Sequence, residues 1–462
     1  MNRRLFGTDG IRAPFGQEPL TPATVRRLGL ALGRELTSAG HSEPLVLLGG
    51  DTRASTPALV EWMTDGLRSA GARTVDLGTL PTPAVAWSVP RYGAAAGVVA
   101  SASHNPASDN GLKLIDSAGF KWTPEAESGL EIRLAGTESP GLSPELPEAD
   151  RANAPDASGQ YLRWLVSEAG GRRALAGLRV ALDAANGAAA ALAGELFTSL
   201  GAAVELLFAS PDGHNINRGC GSTHPEALAA RIAMASAAPM SGFDLGFAFD
   251  GDADRALLLD ERGHLHDGDA MLYLWARDLQ QRGELPVPKI VATSMSNLGL
   301  EAALEALGVG VLRCDVGDRS VVATLRAQGL RLGGEQSGHL VDLHCSTTGD
   351  GLLTAARIAV IAASAARAGT SVSRMLADFR RFPQVMLNVQ VARKPSLAHL
   401  PGVAATARRV EDRLGAQGRL VLRYSGTEPL ARIMIEGPDK DAIGHLADEL
   451  ADAIRKEIGV AP

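Results

Sequence analysis

The chain has 462 residues, of which 45% are hydrophobic and 21% are charged, and its net charge is −7. This length exceeds one ordinary domain and predicts three or four domains of about 100–150 residues each. The acidic balance and an aromatic content of 4% argue against a nucleic-acid-binding surface, and no segment reaches the ~18 apolar residues that a membrane span requires.

Cysteine usage bears on the compartment. The three cysteines, Cys220, Cys314 and Cys345, form no Cys-x-x-Cys pair, and the N-terminal segment lacks the apolar core of a signal peptide. An odd number of cysteines at wide spacing is typical of reduced thiols. We therefore expect a cytoplasmic protein without disulfides.

In chain order, the first predicted element is a helix that begins at Thr21 and Pro22, a capping residue followed by proline. A strand–helix–strand pattern then occurs three times. Its copies are predicted at residues 45–48, 57–70 and 71–75; at 178–182, 187–200 and 201–204; and at 289–292, 297–307 and 308–311. A glycine follows the helix in each copy, as in a left-handed cap, so we interpret the copies as βαβ cores of three related domains.

The C-terminal segment lacks this pattern. Strands at 384–391, 419–424 and 431–436 precede a terminal helix at 439–458, which predicts a smaller α+β domain. Polar stretches at 137–158, 260–267 and 368–383 mark boundaries. The predicted fold class is α/β, with three related mixed α/β domains that have βαβ cores (1–150, 158–258 and 259–370) and a C-terminal α+β domain (376–462).

The first candidate site is the stretch from Gly97 to Lys113, GVVASASHNPASDNGLK. Its apolar start predicts a buried strand at 97–100, and the polar residues that follow, through Gly111, predict a loop. Loops at strand ends are where α/β proteins usually place chemistry. Ser103, with His104 and Lys113 nearby in the chain, is a candidate nucleophile, and an ordinary surface loop is the alternative.

The sharpest motif is DGDADR at 250–255, between predicted strands at 245–249 and 256–259. Because Asp250, Asp252 and Asp254 alternate, their carboxylates can converge, and their repulsion then favours a hard divalent cation. Three carboxylates with open positions suit Mg²⁺. A calcium-binding EF-hand is disfavoured because Arg255 stands where that loop needs glycine; a solvated acidic turn is the other alternative.

Two further motifs suit a phosphate and a polyhydroxyl ligand. In RYSGTEP at 423–429 an arginine, two hydroxyls and a permissive glycine suit a phosphate, and Arg432 is close enough in sequence to join. In GGEQSGH at 333–339 polar side chains among glycines suit a polyhydroxyl ligand, and His339 is a candidate proton shuttle. An ordinary turn is the alternative for each.

Two more polar stretches follow predicted strands. In the first, at 315–319, Arg319 is a candidate for contact with an anionic ligand, and a turn with a local Asp–Arg pair is the alternative. For the second, GDTRAS at 50–55, a helix cap combined with a salt bridge is at least as good an interpretation as a functional one.

SASHNP, DGDADR, GGEQSGH and RYSGTEP, in this order, resemble the motifs of the α-D-phosphohexomutase superfamily, as do FGTDGIR near the N-terminus and STTGDG at 346–351. The resemblance covers nearly the whole chain and is greatest to the branch that acts on glucosamine phosphates. It implies four domains around a central cleft. It also implies interconversion of glucosamine 6-phosphate and glucosamine 1-phosphate, a step toward UDP-N-acetylglucosamine. One departure is that Ala107 and Ser108 follow HNP, where family members often have an aromatic residue.

The resemblance implies a role for each motif residue. Ser103 carries a phosphoryl group, which it transfers to the sugar to form a 1,6-bisphosphate, and Mg²⁺ is held by Ser103, Asp250, Asp252 and Asp254. The implied reaction groups are Arg12, His104, Lys113, Arg255 and His339. The implied substrate-binding residues, among which we include Arg319, are Glu335, Ser337, His339, Arg319, Arg423, Ser425, Gly426, Thr427 and Arg432. The expected cofactors are Mg²⁺ and a sugar 1,6-bisphosphate activator, and the expected partners are a hexosamine phosphate and a second copy of the chain in a homodimer.

Alternatives stay open at this point. The chain also fits a phosphomannomutase or phosphoglucomutase of the same superfamily, a non-catalytic sugar-phosphate-binding protein, or a Mg²⁺-dependent phosphatase with an aspartate nucleophile in DGDAD. In addition, Ser101 is a second hydroxyl two positions before Ser103, and the sequence does not decide whether both are phosphorylated.

Overall fold

The structure, a computed structural model, describes residues 5–7, 9–136, 156–237, 242–425 and 428–459. The chain divides into two compact units. The large unit comprises Met1–Thr293 and Val311–Ala377, and the small unit comprises Ser294–Gly310 and Asp378–Pro462. Among the described helices, none has the length and apolar character needed to cross a membrane.

The first sheet lies in the large unit. Its elements, in chain order, are β1 (Ile11–Pro14), α1 (Pro22–Ser38), β2 (Leu45–Gly50), α2 (Thr56–Ser69), β3 (Arg73–Thr79), α3 (Thr82–Arg91), β4 (Ala96–Ala100), β5 (Asp109–Asp116) and α4 (Pro124–Ala135). The strand order is β1-β5-β4-β2-β3. Strand β2 pairs parallel with β3 and β4, whereas β5 pairs antiparallel with β4 and β1, so the sheet is mixed.

The second sheet has the same plan. Its elements are α5 (Ala157–Glu168), β6 (Arg179–Asp183), α6 (Ala193–Ser199), β7 (Ala203–Leu207), α7 (Glu226–Ser236), β8 (Leu245–Phe249), β9 (Ala256–Asp260) and β10 (Leu265–His266). The order is β10-β9-β8-β6-β7, with β8 and β9 antiparallel. The single helix predicted at 187–200 is wrong in detail, because a short 3-10 helix, Ala188–Ala191, precedes α6.

The third sheet completes the large unit. Its segment of chain contains α8 (Gly268–Gln281), β11 (Lys289–Thr293), α9 (Leu298–Glu305), β12 (Gly310–Cys314), α10 (Asp318–Gln328), β13 (Leu332–Gly334), β14 (Leu340–Asp342), α11 (Gly351–Arg367) and α12 (Val372–Met375). The order is β12-β11-β13-β14, and β14 runs antiparallel to β13. Helix α9 belongs to the small unit, although β11, which precedes it, belongs to the large unit.

The small unit contains an antiparallel sheet packed on two helices. Its further elements are β15 (Gln384–Gln390), α13 (Pro401–Leu414), β16 (Arg419–Tyr424), β17 (Leu430–Glu436) and α14 (Lys440–Ile458). The strand order is β15-β17-β16. Val389, Ile433 and Ile435 of the sheet form a buried core with Val403 of α13 and Leu450 of α14. The sequence predicted the strands and α14 but not α13.

The predicted α/β fold class and its three βαβ patterns are confirmed. The glycines after the three helices, Gly71, Gly201 and Gly308, have φ of 82°, 95° and 71°, which an L side chain adopts only with strain. Strands β4 and β8 are buried throughout, as expected of central strands. Strands β7 and β12 are only half-buried because each lies at the edge of its sheet.

The candidate loops occupy equivalent places in the four sheets. Each joins two strands that pair antiparallel: SASHNP joins β4 to β5, DGDADR joins β8 to β9, GGEQSGH joins β13 to β14, and RYSGTEP joins β16 to β17. In the large unit, the preceding strand of each pair also has a parallel neighbour in its sheet. The shared topology therefore presents one chemically distinct loop from each sheet.

Candidate active site

The serine loop, residues 101–108, connects β4 to β5. The structure shortens the predicted loop, because Asp109, Asn110 and Gly111 already pair with β1. Lys113 consequently projects from a strand rather than from the loop that carries Ser103. A strand fixes the direction of a side chain more firmly than a loop does, and Lys113 is 1% exposed.

Ser103 and Ser101 have different surroundings. The Ser103 hydroxyl donates to Asp250 Oδ2 at 2.5 Å and lies 3.4 Å from His104 Nδ1. The Ser101 hydroxyl donates to Asp51 Oδ2 at 2.6 Å and accepts the main-chain N–H of Ser103 at 2.9 Å. The hydroxyl of Ser101 therefore makes hydrogen bonds that stabilise the loop, whereas the hydroxyl of Ser103 faces the acidic cluster.

The three aspartates of DGDADR form a compact cluster. Asp250, Asp252 and Asp254 are buried, and each offers a carboxylate oxygen within 4.8 Å of the others. Within the described chain, Asp252 Oδ1 and Asp254 Oδ1 are buried and have no hydrogen-bond partner. Unpartnered carboxylate oxygens are hard, anionic ligands, so the cluster fits a divalent cation of the Mg²⁺ or Ca²⁺ type. Flanking strands rather than helices rule out an EF-hand.

The aspartates differ in their electrostatic surroundings. Burial, reinforced by the charges of Asp254 and Asp252, raises the pKa of Asp250 well above its ordinary value. Burial also opposes the ionisation of Asp254, but the charges of Lys113 and Lys121 outweigh it and lower the pKa of that carboxyl. The protein alone thus stabilises the negative charge of Asp254 but not that of Asp250.

Lys113 is the main cation beside the cluster. Its Nζ lies 2.8 Å from Asp252 Oδ2, 3.1 Å from Asp9 Oδ2 and 3.4 Å from Asp254 Oδ2. Burial works against its charge, but these three carboxylates raise the pKa of Lys113 well above its ordinary value. Lys113 is therefore charged at neutral pH in this arrangement.

The sequence did not reveal two other residues of the cluster. Lys121 is buried between carboxylates: its Nζ lies 2.7 Å from Asp9 Oδ1, contacts Asp318 Oδ2 and lies 3.7 Å from Asp254 Oδ2. Thr82 donates its hydroxyl to Asp252 Oδ2 at 2.5 Å. Thr82 stands outside every motif, and the only local signal for Lys121 is a charge placed between the aromatic residues of FKW.

Two arginines lie near the serine loop. Arg12 donates to Asp9 Oδ2 at 2.5 Å and to Asn105 Oδ1 at 3.3 Å. The Nε of Arg255 lies 3.7 Å from Asp254 Oδ1, and its main-chain N–H donates to Asp250 Oδ1 at 3.2 Å. Burial opposes the Arg255 charge, but Asp254 and Asp250 raise its pKa. Arg12 therefore contacts the serine loop itself, and Arg255 contacts the acidic loop that faces Ser103.

His104 is neutral in this environment. Burial, together with the positive charges of Arg255 and Arg12, lowers its pKa to about 4. An unprotonated imidazole has one donor and one acceptor nitrogen. Beside Ser103, His104 therefore offers a hydrogen bond rather than a positive charge.

The GGEQSGH loop is held close to the acidic cluster. His339 is 1% exposed, and its Nε2 accepts the Gly349 N–H at 3.2 Å and lies 3.8 Å from Asp318 Oδ2. Glu335 Oε1 accepts the Gly317 N–H at 3.0 Å. As far as the described residues show, Ser337 Oγ and His339 Nδ1 are buried and have no partner. The loop thus has polar atoms available to a ligand.

Arg319 is paired across the large unit. Its guanidinium donates to both oxygens of Glu127 on α4, at 2.6 and 2.5 Å. The ion pair is therefore with a carboxylate distant in sequence and differs from the local Asp–Arg pair that the sequence suggested. A ligand that uses Arg319 has to compete with Glu127.

The small unit carries its own cationic cluster. Arg423 on β16 and Arg432 on β17 face each other directly across the sheet, and Asn388 on β15 lies opposite Arg432. These three residues line a cavity of about 190 Å³. Like charges at directly opposed positions repel, so the arrangement favours an anion. Arg432 also pairs with Glu428 at 2.7 Å.

Of the other predicted ligands in this loop, the structure describes Ser425. Ser425 is buried, and its hydroxyl donates to Glu428 Oε2 at 3.3 Å. The predicted ligands Gly426 and Thr427 lie outside the described residues. The amine of Lys394, which the sequence did not single out, donates to the Ser425 carbonyl at 2.6 Å.

Two structural expectations have clear outcomes. The salt bridge within GDTRAS is confirmed, since Arg53 Nε donates to Asp51 Oδ2 at 3.0 Å. Ser55, the residue before α2, makes no side-chain bond to the start of that helix. All three cysteines are free, and burial raises the pKa of the Cys220 and Cys345 thiols to about 12.

Four family models match the chain in order. The phosphoglucomutase/phosphomannomutase alpha/beta/alpha domains I, II and III match residues 3–140, 160–263 and 267–382. The phosphoglucomutase/phosphomannomutase C-terminal domain matches residues 386–453. Together they span most of the chain and include all four candidate loops.

Relatives and solved structures agree with these matches. The phosphoglucosamine mutase of Koribacter versatilis is 42% identical over 99% of this chain and 98% of its own length. That of Solibacter usitatus is 43% identical over 99% of this chain and its whole length. A crystal structure of a phosphoglucomutase/phosphomannomutase family protein from Burkholderia thailandensis has a TM-score of 0.81 at 27% identity, covering 99% of both chains.

A more distant structure shares the fold. The Aspergillus fumigatus N-acetylphosphoglucosamine mutase, solved with GlcNAc-6P and magnesium, has a TM-score of 0.66 at 19% identity. The superposition covers 99% of this chain and 96% of the Aspergillus chain. On the full-length sequence matches, the chain belongs to the phosphoglucomutase/phosphomannomutase family of isomerases and, within it, to the phosphoglucosamine mutases.

Proposed function

We propose that the chain interconverts glucosamine 6-phosphate and glucosamine 1-phosphate by transferring a phosphoryl group through Ser103. The observation that carries the proposal is the position of the Ser103 hydroxyl, 2.5 Å from Asp250 in a cluster of three buried aspartates. The chain is 42–43% identical to phosphoglucosamine mutases over 99% of its length, and this supports an amino sugar phosphate as the substrate.

The reaction consists of two transfers. In the first, the bond between phosphorus and Ser103 Oγ breaks and phosphorus bonds to the free sugar hydroxyl; the sugar hydroxyl gives up its proton, and the departing Ser103 Oγ takes up a proton. The product is a glucosamine 1,6-bisphosphate. After this intermediate reorients, its other phosphorus bonds to Ser103 Oγ, which gives up its proton, and the bond to the sugar oxygen breaks as that oxygen takes up a proton. Phosphoryl transfer needs alignment and charge neutralisation more than covalent help.

The residues around Ser103 supply charge and hydrogen bonds. Lys113 and Arg255 offset the negative charge of the transferring group, and His104 adds a neutral hydrogen bond. Arg12 and Lys113 are the candidates for holding the hydroxyl proton. Lys113 is ionised in this arrangement, so it would have to lose a proton before it could accept one, and this favours a role in charge neutralisation.

The cation site fits Mg²⁺. The unpartnered oxygens of Asp252 and Asp254 support this assignment, and Asp250 together with a phosphoryl oxygen on Ser103 would complete the ligand set. Bound there, the ion would withdraw charge from the phosphoryl group. A sugar 1,6-bisphosphate is the expected activator because it can phosphorylate an enzyme that has lost its phosphoryl group.

The other loops bind the rest of the substrate. Glu335, Ser337 and His339 hold sugar hydroxyls, and the unpartnered atoms of Ser337 and His339 support this role. The non-reacting phosphate is held by Arg423, Ser425 and Arg432 of the small unit, together with Gly426 and Thr427. One fixed phosphate grip serves both orientations of the intermediate. Arg319 is a further candidate ligand when it is released from Glu127.

The setting of the enzyme follows from its proposed substrate. Hexosamine phosphates are charged metabolites that do not cross membranes freely, so we expect the enzyme to work in the cytoplasm. We also propose a homodimer and the domain limits 1–150, 158–258, 259–370 and 376–462. Size-exclusion chromatography with light scattering measures the first, and limited proteolysis measures the second.

The test of the proposal is a coupled assay with glucosamine, glucose and mannose 6-phosphates, run with and without Mg²⁺ and a sugar 1,6-bisphosphate. We expect the highest kcat/KM with glucosamine 6-phosphate and no turnover without a divalent cation. A clear preference for glucose or mannose 6-phosphate would instead indicate a phosphoglucomutase or phosphomannomutase.

Variants of the serine loop test the phosphoryl carrier. Ser103→Ala is expected to abolish turnover, whereas Ser108→Ala, on the exposed part of the same loop, is expected to retain it. Phosphopeptide mapping is expected to place the phosphoryl group on Ser103 alone. Label on an aspartate would indicate a phosphatase mechanism, and full turnover by Ser103→Ala would refute the proposal.

A further inference from the structure

Arg53 is a buried arginine whose guanidinium faces the main chain of the serine loop. It is 1% exposed, and its Nη2 donates to the carbonyls of Ser103 and Asn105 at 2.9 and 2.8 Å. Its Nη1 donates to the carbonyls of Pro106 and Asp109. With Nε bonded to Asp51, all the donor positions of the guanidinium are used within the large unit.

A second side chain binds the same two carbonyls. Asn217, in the segment between β7 and α7, donates its amide to Ser103 O at 2.9 Å and to Asn105 O at 3.1 Å. Asn217 is 7% exposed and has a φ of 57°. The Ser103 carbonyl therefore accepts from both Arg53 and Asn217. We call these two side chains the carbonyl clamp.

The DGDADR loop closes on the clamp from the other side. A Cβ at Gly251 would lie 2.5 Å from the Ser103 carbonyl oxygen and 2.9 Å from the Asn217 amide nitrogen. Only a glycine lets the two loops approach this closely. The Ser103 carbonyl is thus enclosed by groups from three separate parts of the chain.

The conformation of Ser103 explains what such enclosure achieves. Its φ is 52°, a left-handed conformation that is strained for a non-glycine residue and persists only where its surroundings hold it. A glycine would adopt it freely, but a glycine has no hydroxyl. Fixing the carbonyl fixes the peptide plane, and with it the direction of Cβ and Oγ toward Asp250.

We propose that Arg53 and Asn217 are positioning residues for phosphoryl transfer, which hold Ser103 in its left-handed conformation with Oγ aimed at the aspartate cluster. This inference rests on the proposed transfer through Ser103. The Arg53 guanidinium is bonded to Asp51 and to main-chain carbonyls of the serine loop, so its contribution is geometric. Asp51 also engages the hydroxyl of Ser101, which leaves Ser103 as the serine that faces the cluster.

The test uses two variants that weaken the clamp without removing charge. Asn217→Gly deletes the amide but tolerates the positive φ, and Arg53→Lys keeps the charge but loses the fork of parallel donors. For each we expect kcat to fall by about 10- to 100-fold, because misalignment near the reacting atoms is costly. The KM for glucosamine 6-phosphate is expected to change by less than about threefold, since neither side chain is a proposed substrate ligand.

The matched control is Asn186→Gly. Asn186 is also a buried asparagine with positive φ, 49°, but its side chain bonds Ser210 N and Asn215 O rather than the serine loop. We expect its kcat to stay near that of the wild type. The inference is wrong if Asn217→Gly, folded by circular dichroism, has the same kcat as this control. If Arg53→Lys fails to fold, Asn217→Gly decides alone, and inactivity of the wild type or activity of Ser103→Ala would instead refute the underlying function.

Discussion

At the scale of single residues, the candidate active site is a balance of buried and partly buried charges. Five carboxylates (Asp9, Asp250, Asp252, Asp254 and Asp318) are interleaved with four cations (Arg12, Lys113, Lys121 and Arg255). Removing one partner of such a pair leaves the other charged and buried, which costs more than the pair contributes. Each lysine is therefore expected to stabilise the fold, because it offsets the carboxylates beside it.

Lys121→Met tests this balance. We expect the free energy of unfolding to fall by about 3–5 kcal/mol, because Asp9 and Asp318 lose the cation between them. The five tryptophans all lie in the large unit, so urea titration followed by tryptophan fluorescence reports its unfolding. The control Arg282→Met breaks a half-exposed pair with Glu284 and should cost less than about 1 kcal/mol. Equal losses in the two variants would contradict the prediction.

Asp350 gives the large unit a pH dependence. Burial raises its pKa to about 6, although it accepts bonds from Leu353 N and the Tyr161 hydroxyl. An unfolded aspartate titrates near pH 4, so between about pH 4 and 6 the unfolded chain ionises while the folded one keeps its proton. This contribution to stability is present below pH 4 and decreases by about 3 kcal/mol as the pH rises through 6.

Asp350→Asn removes that titration and keeps an acceptor for the cap of α11. The unfolding free energy is measured in urea at pH 4.5 and at pH 7. Over this rise in pH, the variant should lose about 2 kcal/mol less stability than the wild type. Asp278→Asn serves as a reference for a less buried carboxyl on α8. An unchanged difference between the two pH values would show that another group carries the effect.

Contiguous motifs explain which site residues the sequence predicted. Ser103 and the three aspartates each stand in a run of polar residues after an apolar strand, so their chemistry is visible locally. Lys121, Thr82, Arg53 and Asn217 contribute through contacts with residues far away in the chain. Neither spacing nor composition encodes such contacts, and only the fold brings these residues to the site.

At the scale of elements, the serine, acidic and GGEQSGH loops follow one plan, in which a loop joins a strand to its antiparallel neighbour. Glycine spacing and apolar runs sufficed to predict the βαβ cores. The register of the β1–β5 pair, which takes Lys113 out of the loop, depends on a long-range pairing with Ile11–Pro14. Residues 109–111 were predicted as a loop because they are polar, and a polar strand has the same local composition as a loop.

The packing of α1 on α2 depends on helical glycines. A Cβ at Gly66 would lie 2.1 Å from the Arg26 carbonyl of α1, so Gly66→Ala should push the helices apart and lower the unfolding free energy by about 1–3 kcal/mol. Gly129 of α4 has nothing within 4 Å of an added Cβ, and Gly129→Ala should stabilise by about 0.5–1 kcal/mol. The two substitutions are thus expected to change the unfolding free energy in opposite directions, which distinguishes the effect of close packing from that of helix propensity. Stabilisation by both substitutions in thermal melts would contradict this account of the contact.

At the scale of the whole molecule, the proposed reaction requires residues from both compact units. Ser103 and the aspartates belong to the large unit, whereas Arg423 and Arg432 belong to the small unit. The α/β class followed from the repeated strand–helix–strand pattern. That residues 294–310 would cluster with the small unit was not predictable, because this segment contains the helix of a regular βαβ pattern.

Substrate binding should therefore draw the two units together. With Ser103→Ala to prevent turnover, glucosamine 6-phosphate or a sugar 1,6-bisphosphate should lower the radius of gyration measured by small-angle X-ray scattering, since in the proposed reaction one ligand would engage groups on both units and closure would exclude water. Adding Arg423→Met and Arg432→Met to that variant should abolish the decrease, because the phosphate then loses both arginines proposed to bind it. Calorimetry fixes the ligand concentration at saturation. A radius of gyration that stays constant at saturation would contradict this prediction, because phosphoryl transfer would then proceed without closure of the two units.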